Sequence, residues 1–176
     1  MDNSKPIIHV ITGDGKGKTT ASLGLALRAL GAGKQVKIIQ FMKKPVFSEH
    51  KAIKKYNLPI EIEAYGIGFY KIIGDGHSDE EHKKACARAL QGALEAIQSH
   101  KYDLIILDEI NVALSCKLIG VEQVIETINM GKNCDIVLTG RNAPAKIKKI
   151  ADLVSEIKSI KHYFDAGLEA RKGIEF

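Results

Sequence analysis

Residues 7–20 read Ile7-Ile8-His9-Val10-Ile11-Thr12-Gly13-Asp14-Gly15-Lys16-Gly17-Lys18-Thr19-Thr20. The nearly continuous apolar run from Ile7 to Thr12 suits a central strand covered on both faces. Glycines at 13, 15 and 17 follow at once, and Lys18 opens a stretch of helical periodicity. Glycine lets backbone amides converge on an anion without Cβ clashes, and the helix N-terminus adds a favourable dipole. The spacing therefore predicts strand, phosphate-binding loop and helix, with Gly13 to Thr20 gripping the triphosphate of ATP. In that arrangement Lys18 sits between phosphates and the Thr19 hydroxyl faces Mg2+. The usual pattern, G-x-x-x-x-G-K-[ST], has glycine at position 12, where this chain has Thr12.

Outward from this loop, short β-branched runs alternate with helical stretches. The first helix covers about Lys18 to Leu30, with Leu23, Leu27 and Leu30 on one face, and Gly31 and Gly33 stop it. Strands are expected at Gln35–Phe41, Ile60–Ala64, Leu104–Asp108, Asp135–Thr139 and Val154–Ile157. Helices are expected at Ser48–Tyr56, Val121–Asn129 and Ala143–Ala151. Ser78 and Glu81 form a capping box for another, which runs to Ser99 with Cys86, Leu90, Ala93, Leu94 and Ile97 inward. Between them lies a glycine-rich loop, Tyr65 to His77, of a length more often functional than idle. The tail, Lys161 to Phe176, reads as ordered loop. The alternation predicts an α/β fold: a mostly parallel sheet with helices on both faces, as one domain over residues 1–176.

A second site signal is Leu104-Ile105-Ile106-Leu107-Asp108-Glu109, four apolar residues ending in two carboxylates. As a parallel neighbour of the first strand, it would bring Asp108 and Glu109 to Thr19, where they hold magnesium directly or through water. Arg141 follows another buried strand, in Thr139-Gly140-Arg141. Ligands of open parallel sheets sit beyond the strands' carboxyl ends, so Arg141 is placed to meet an anion. His77 and His82 flank three acids across a helix start, which reads as a solvated first turn rather than a metal site.

The net charge of +5 is compatible with anionic small molecules. Its lysines are scattered in pairs and no tryptophan is present, so no basic stacking platform for nucleic acid is visible. No apolar run is long enough to span a bilayer, and the first ten residues lack the apolar core of a signal peptide. A cytoplasmic protein without membrane or nucleic-acid partners is expected. Cys86, Cys116 and Cys134 are far apart and read as buried or half-buried free thiols. On these motifs alone, phosphoryl transfer, hydrolysis and alkyl transfer are all open.

Taken together, TGDGKGKTTAS at 12–22, IIQFMK at 38–43, ILDE at 106–109, LTGR at 138–141 and KHYFDAGLEARKGIEF at 161–176 resemble ATP:corrinoid adenosyltransferases of the cob(I)alamin adenosyltransferase type. The resemblance runs in order over nearly the whole chain. The tail discriminates most, because H-x-F-D-A-G-x-x-A-x-x-G-I-[DE] is no general feature of phosphate-loop proteins. Thr12 in the modified loop also looks like this family.

The resemblance implies a RecA-like P-loop fold, a homodimer, and ATP held in reversed orientation. It implies that Co(I) of a reduced corrinoid attacks C5′ of ATP and inorganic triphosphate leaves. It assigns charge stabilisation to Lys18 and Arg141, and nucleotide contacts to Thr12, Gly13, Asp14, Gly15, Lys16, Gly17, Lys18, Thr19, Thr20 and Arg28. Magnesium falls to Thr19 and Glu109, with Asp108 nearby. Gly68-Phe69-Tyr70-Lys71 occupies the place of the family's Gly-Phe-x-Trp corrinoid segment, so Phe69 matches, Tyr70 is a candidate substitute, and Lys71 departs from the pattern. The sequence has no CxxC, haem or flavin motif, so an external flavoprotein reductase is expected to supply Co(I). The competing expectations are a P-loop ATPase or kinase, with Glu109 positioning a water or hydroxyl, and a nucleotide-sensing or nucleic-acid-binding module.

Overall fold

The computed structural model describes residues 5–45, 47–68, 70–71 and 75–175, apart from the side chains of Asp165 and Ala166. In chain order its elements are β1 (Ile8–Thr12), α1 (Lys18–Gly31), β2 (Val36–Gln40), α2 (Ser48–Lys55), β3 (Ile60–Ala64), α3 (Asp79–Gln98), β4 (Leu104–Asp108), α4 (Ile110–Ser115), α5 (Val121–Asn129), β5 (Asp135–Thr139), α6 (Ala145–Ile150) and β6 (Leu153–Glu156). A 3-10 turn, Tyr163–Ala166, interrupts the tail that was expected to be loop throughout.

The six strands form one sheet in the order β3-β2-β4-β5-β1-β6. Every pairing is parallel. The central strands β2 and β4 are buried along their whole length; apart from Lys37, Gln40 and Asp108 they are apolar, as strands covered on both faces require. β3 is an edge strand and alternates Ile60, Ile62 and Ala64 with Glu61 and Glu63. On one face α1 and α2 cover Ile11, Val36, Ile38, Leu104, Ile106 and Val137. On the other, α3 to α6 cover Val10, Ile39, Ile105, Leu107, Ile136 and Leu138. Helices on both faces of a parallel sheet are as expected, and one strand lies between the phosphate-loop strand and the carboxylate strand. Among the described residues, no helix is long and apolar enough to cross a membrane.

Four local expectations are revised. β1 and β4 are not neighbours, because β5 pairs with both. The inward stripe of α1 is Ser22, Ala26 and Ala29; Leu27 is 61% exposed, and Leu23 and Leu30 are half-buried at the margins. Small residues there let the helix approach the sheet closely. α4, one and a half turns after Asp108, was not anticipated because Ile110 to Ser115 is too short to show a period. The predicted last strand and last helix are shorter or shifted by one or two residues, within the normal fraying of element ends. The capping box forms as read: Ser78 Oγ accepts from Glu81 N, and Glu81 Oε2 accepts from Ser78 N at 2.8 Å. The cysteines are free, Cys86 and Cys134 buried and Cys116 half-buried, and burial pushes the Cys86 thiol up to about 12.

The chain beyond β3 turns back against the end of β2 at Gly66. A Cβ there would lie 2.2 Å from the Met42 carbonyl carbon and 2.5 Å from Lys43 N. Backbone cannot yield as a side chain does. Gly66→Ala should therefore cost about 2–3 kcal/mol, as overpacking does. Chemical denaturation measures this, and an unchanged midpoint would refute the close approach.

Candidate active site

The phosphate loop forms where it was read, and tertiary contacts explain its glycines. Gly13 has φ of 99° and Gly17 of 116°, left-handed values that favour glycine. Gly13 and Gly15 also lie against the segment that follows β6. A Cβ at Gly13 would meet Ile157 O at 2.4 Å, and one at Gly15 would meet Lys158 O at 2.8 Å. Gly15 N donates to Ile157 O at 2.8 Å, and Ile157 N donates to Thr12 O at 2.8 Å. The Gly15 amide thus braces the loop. Lys16 reaches the tail, its Nζ donating to Ile174 O at 2.8 Å with Glu175 3.8 Å away. Asp14 and Thr20 are exposed.

Thr12 has a structural reason for standing where the usual motif has glycine. Its hydroxyl accepts from Ala143 N at 3.2 Å, which ties the base of the loop to the chain beyond β5. Glycine could not make that bond.

Lys18 is 7% exposed, and its Nζ donates to Gly13 O and Gly15 O, both at 2.7 Å. Burial lowers its pKa; Glu109 opposes that shift and Arg141 adds to it. The ammonium, Glu109 and Arg141 therefore share one electrostatic neighbourhood. Arg141 itself is exposed, on the turn after Gly140.

Asp108 joins four elements. It is fully buried, and its Oδ1 accepts from Thr19 Oγ1 at 2.9 Å and Thr139 Oγ1 at 2.7 Å. Its Oδ2 accepts from Gln40 Nε2 at 3.0 Å and lies 3.0 Å from Lys43 Nζ. β5 separates the parent strands, yet Thr19 still reaches Asp108 because α1 packs on both β4 and β5. Glu109 begins α4 with φ of 63°, a left-handed value uncommon outside glycine and Asn/Asp. Its amide donates to Thr139 Oγ1 at 3.0 Å. Gly140 makes room for its carboxylate, whose Oε2 would lie 3.2 Å from a Cβ there.

Thr19, Asp108 and Glu109 supply hydroxyl and carboxylate oxygens, hard donors of the kind Mg2+ takes. The two oxygens of Asp108 already have four partners, whereas no hydrogen bond among the described residues reaches the Glu109 carboxylate. The donor set fits the ion with Thr19 and Glu109 as direct ligands and Asp108 behind them. Among the described residues no cluster of three or more His, Cys, Asp or Glu could hold a metal alone, so the remaining positions would fall to phosphate and water.

The structure places two of these features differently. Arg28 is not brought to the loop: it lies ten residues beyond Lys18 on α1, about 15 Å of helical rise. There it lines a cavity of about 210 Å³ with Ile7, Leu25, Lys34 and Asp135, where the strands begin. His82 is no solvated first-turn residue. It is 2% exposed, and its Nε2 lies 3.0 and 3.1 Å from the two Asp75 carboxylate oxygens. Asp75 also accepts from Lys71 N at 2.8 Å and His77 N at 3.2 Å, while Tyr70 stacks edge-on against His82 at 5.1 Å. This cluster anchors the glycine-rich loop to α3. Tyr70 is thus half-buried against α3, and Phe69 lies outside the described residues.

The model of ATP:corrinoid adenosyltransferases BtuR/CobO/CobP matches residues 4–176. The chain belongs to this family. It is 32% identical to the corrinoid adenosyltransferase of Escherichia coli (strain K12) over 176 residues, covering 99% of this chain and 87% of that protein. It is 33% identical to the corrinoid adenosyltransferase CobA of Salmonella typhimurium (strain LT2) over 172 residues, covering 97% and 85%. Among solved structures, the flagellar accessory protein FlaH from Methanocaldococcus jannaschii is similar in fold, with a TM-score of 0.57 at 14% identity over 85% of this chain and 70% of that one. For an ATP:corrinoid adenosyltransferase, the residues that sequence reasoning did not single out are Gln40, Lys43, Glu49 and Thr139. Their signal was polar residues closing apolar strands, Gln40-Phe41-Met42-Lys43 and Leu138-Thr139, but nothing local shows that both strand ends meet Asp108.

Burial, and then the charge of Asp108, push the Glu109 carboxyl above its ordinary 4.5; Lys43, Lys18 and Arg141 oppose the rise without cancelling it. Above 4.5 the unfolded chain releases a proton that the folded chain still keeps, so stability falls as pH rises towards the folded value and stays lower beyond it. Glu109→Gln should therefore melt higher than the parent at neutral pH, with the gain fading as pH is brought below 4.5. Thermal melts across that range test it, and a gain that grows towards acid would contradict it.

Proposed function

We propose that this site transfers the 5′-deoxyadenosyl group of ATP to the cobalt of a corrinoid, with inorganic triphosphate as the leaving group. The observation that carries the reading is the family match over residues 4–176, seated on a phosphate loop whose Thr12 is built into the fold. Family membership does not favour the rival reading as a P-loop ATPase or kinase.

The chemistry suits the residues. Co(I) brings its own electron pair to C5′, the C5′–O bond breaks, and the electrons pass to the triphosphate. No proton has to be removed, so no general base is required. The protein's work is to align the reactants and to stabilise charge on the leaving group. Gly13 to Thr20 cradle the triphosphate, with Lys18 and Arg141 as the charge-stabilising cations. Thr19 and Glu109 would hold Mg2+, which when bound neutralises phosphate charge. Arg28 is left out of this set because of its distance along α1. Phe69 and Tyr70 belong to the corrinoid side, and the Asp75–His82 pair holds their loop on α3. The reading includes a homodimer in the cytoplasm, where thiols stay reduced, and an external flavoprotein as the source of electrons.

The test is an anaerobic assay with ATP and Co(I) cobalamin, following the cobalt spectrum and the phosphate products. Adenosylcobalamin and triphosphate are expected; ADP and phosphate without the cobalt product would sink the reading. Lys18→Ala should lower turnover by about 10²–10³-fold, the usual loss for one charge-stabilising donor, and unchanged turnover would remove Lys18 from its role. Phe69→Ala should impair corrinoid use while ATP affinity, read by calorimetry, is retained. Loss of ATP affinity alone would assign Phe69 to the nucleotide instead.

A further inference from the structure

Lys43 is a buried cation for which the adenosyl-transfer reading above has no use. It follows Phe41 and Met42, each 1% exposed, which pin the end of β2 in the core, and is itself 8% exposed. Its Nζ lies 3.0 Å from Thr19 Oγ1 and 3.0 Å from Asp108 Oδ2. The Thr19 hydroxyl donates its proton to Asp108 and accepts from Lys43. The oxygen that a divalent ion would use is therefore engaged by an ammonium.

A second carboxylate is within reach. Glu49 Oε1, at the start of α2, lies 3.6 Å from Lys43 Nζ, and its side chain is 13% exposed. Gln40 Nε2 donates to both carboxylates, to Asp108 at 3.0 Å and to Glu49 at 3.2 Å. One amide thus holds two acidic seats side by side, with a single ammonium between them. The Phe47 ring, 5.6 Å from Nζ, lines the same space. An ion held by Thr19 would share that oxygen with the ammonium. Lys43 at its present distance would then face a dication within a few ångströms in a poorly solvated site, a strong repulsion.

We propose that Lys43 is the resident counter-ion of the Thr19–Asp108 pair, competes with the divalent metal for the Thr19 hydroxyl, and moves onto Glu49 when the metal binds. Metal loading is then a cation exchange between two carboxylate seats. This inference rests on the reading that Thr19 and Glu109 take the metal. Lys43 is a positioning residue here and touches neither reacting atom.

The experiment compares ATP affinity by calorimetry in EDTA and in excess Mg2+, for the parent chain, Lys43→Met, Glu49→Gln and Lys44→Met, each checked for folding by circular dichroism. The ratio of the two affinities reports how strongly metal and nucleotide are coupled. Removing the competitor should raise that ratio about tenfold in Lys43→Met. Glu49→Gln deprives the displaced ammonium of its destination and should lower the ratio. Lys44 is exposed and carries the same charge one residue on, so Lys44→Met should leave the ratio within about twofold, as a screened surface charge does. An unchanged or reduced ratio in Lys43→Met overturns the proposal, as does an equal shift in Lys44→Met. Should Lys43→Met fail to fold, Glu49→Gln decides by the direction of its change. A parent chain whose ATP affinity ignores Mg2+ would overturn the metal reading itself, and this proposal with it; metal dependence with no effect of Lys43→Met overturns this proposal alone.

Discussion

A buried carboxylate with no partner would be costly to fold around, and Asp108 avoids that cost by taking four partners from three directions. Thr19 comes from α1, Gln40 and Lys43 from the end of β2, and Thr139 from the end of β5. Charge-assisted hydrogen bonds in a poorly solvated interior are strong, and losing one partner leaves the carboxylate short of compensation. The network therefore locks the carboxyl ends of three strands and the first turn of α1 into one geometry. The phosphate loop is suspended from that lock, and so are Glu109 and Gly140, which flank it.

The loop's other side is held by a different part of the chain. β6 adds to the edge of β1, and the residues after it supply backbone groups to Thr12 and Gly15. The tail then returns to Lys16 through Ile174 and Glu175. An anion-binding loop has to keep its amides in place without a hydrophobic core of its own. Here the last quarter of the chain does that work, which accounts for a tail that is distinctive in sequence and yet largely exposed.

Two polar clusters organise the two loops. Around the phosphate loop, Lys18, Lys43 and Arg141 share one field with Asp108 and Glu109. Across β2, Asp75, His82 and Tyr70 tie the glycine-rich loop to the start of α3. Gly66 joins them, because its backbone lies against Met42 and Lys43 at the end of β2.

Much of this was legible along the chain because it is written in local spacing. Apolar runs give buried strands, glycine–lysine spacing gives the phosphate loop, and Ser78 with Glu81 gives a helix start; each depends on residues within one turn or one strand. The family resemblance, carried by motifs in order, was legible for the same reason. Strand order was not, since two apolar strands look alike whether adjacent or one apart, and so the pairing of β5 between β1 and β4 had to come from the fold. Thr12 looked like a departure in sequence and is a tether in three dimensions. His82 looked like part of a solvated first turn and is buried against a carboxylate, and Lys43, the end of a sequence motif, is buried between two. The sequence by itself determined the strands, most of the helices and the glycine loop between β1 and α1, because those follow from neighbours in the chain. Only the tertiary structure decided which polar side chains share Asp108, because those partners are 31 to 89 residues from it and meet only when the sheet is assembled.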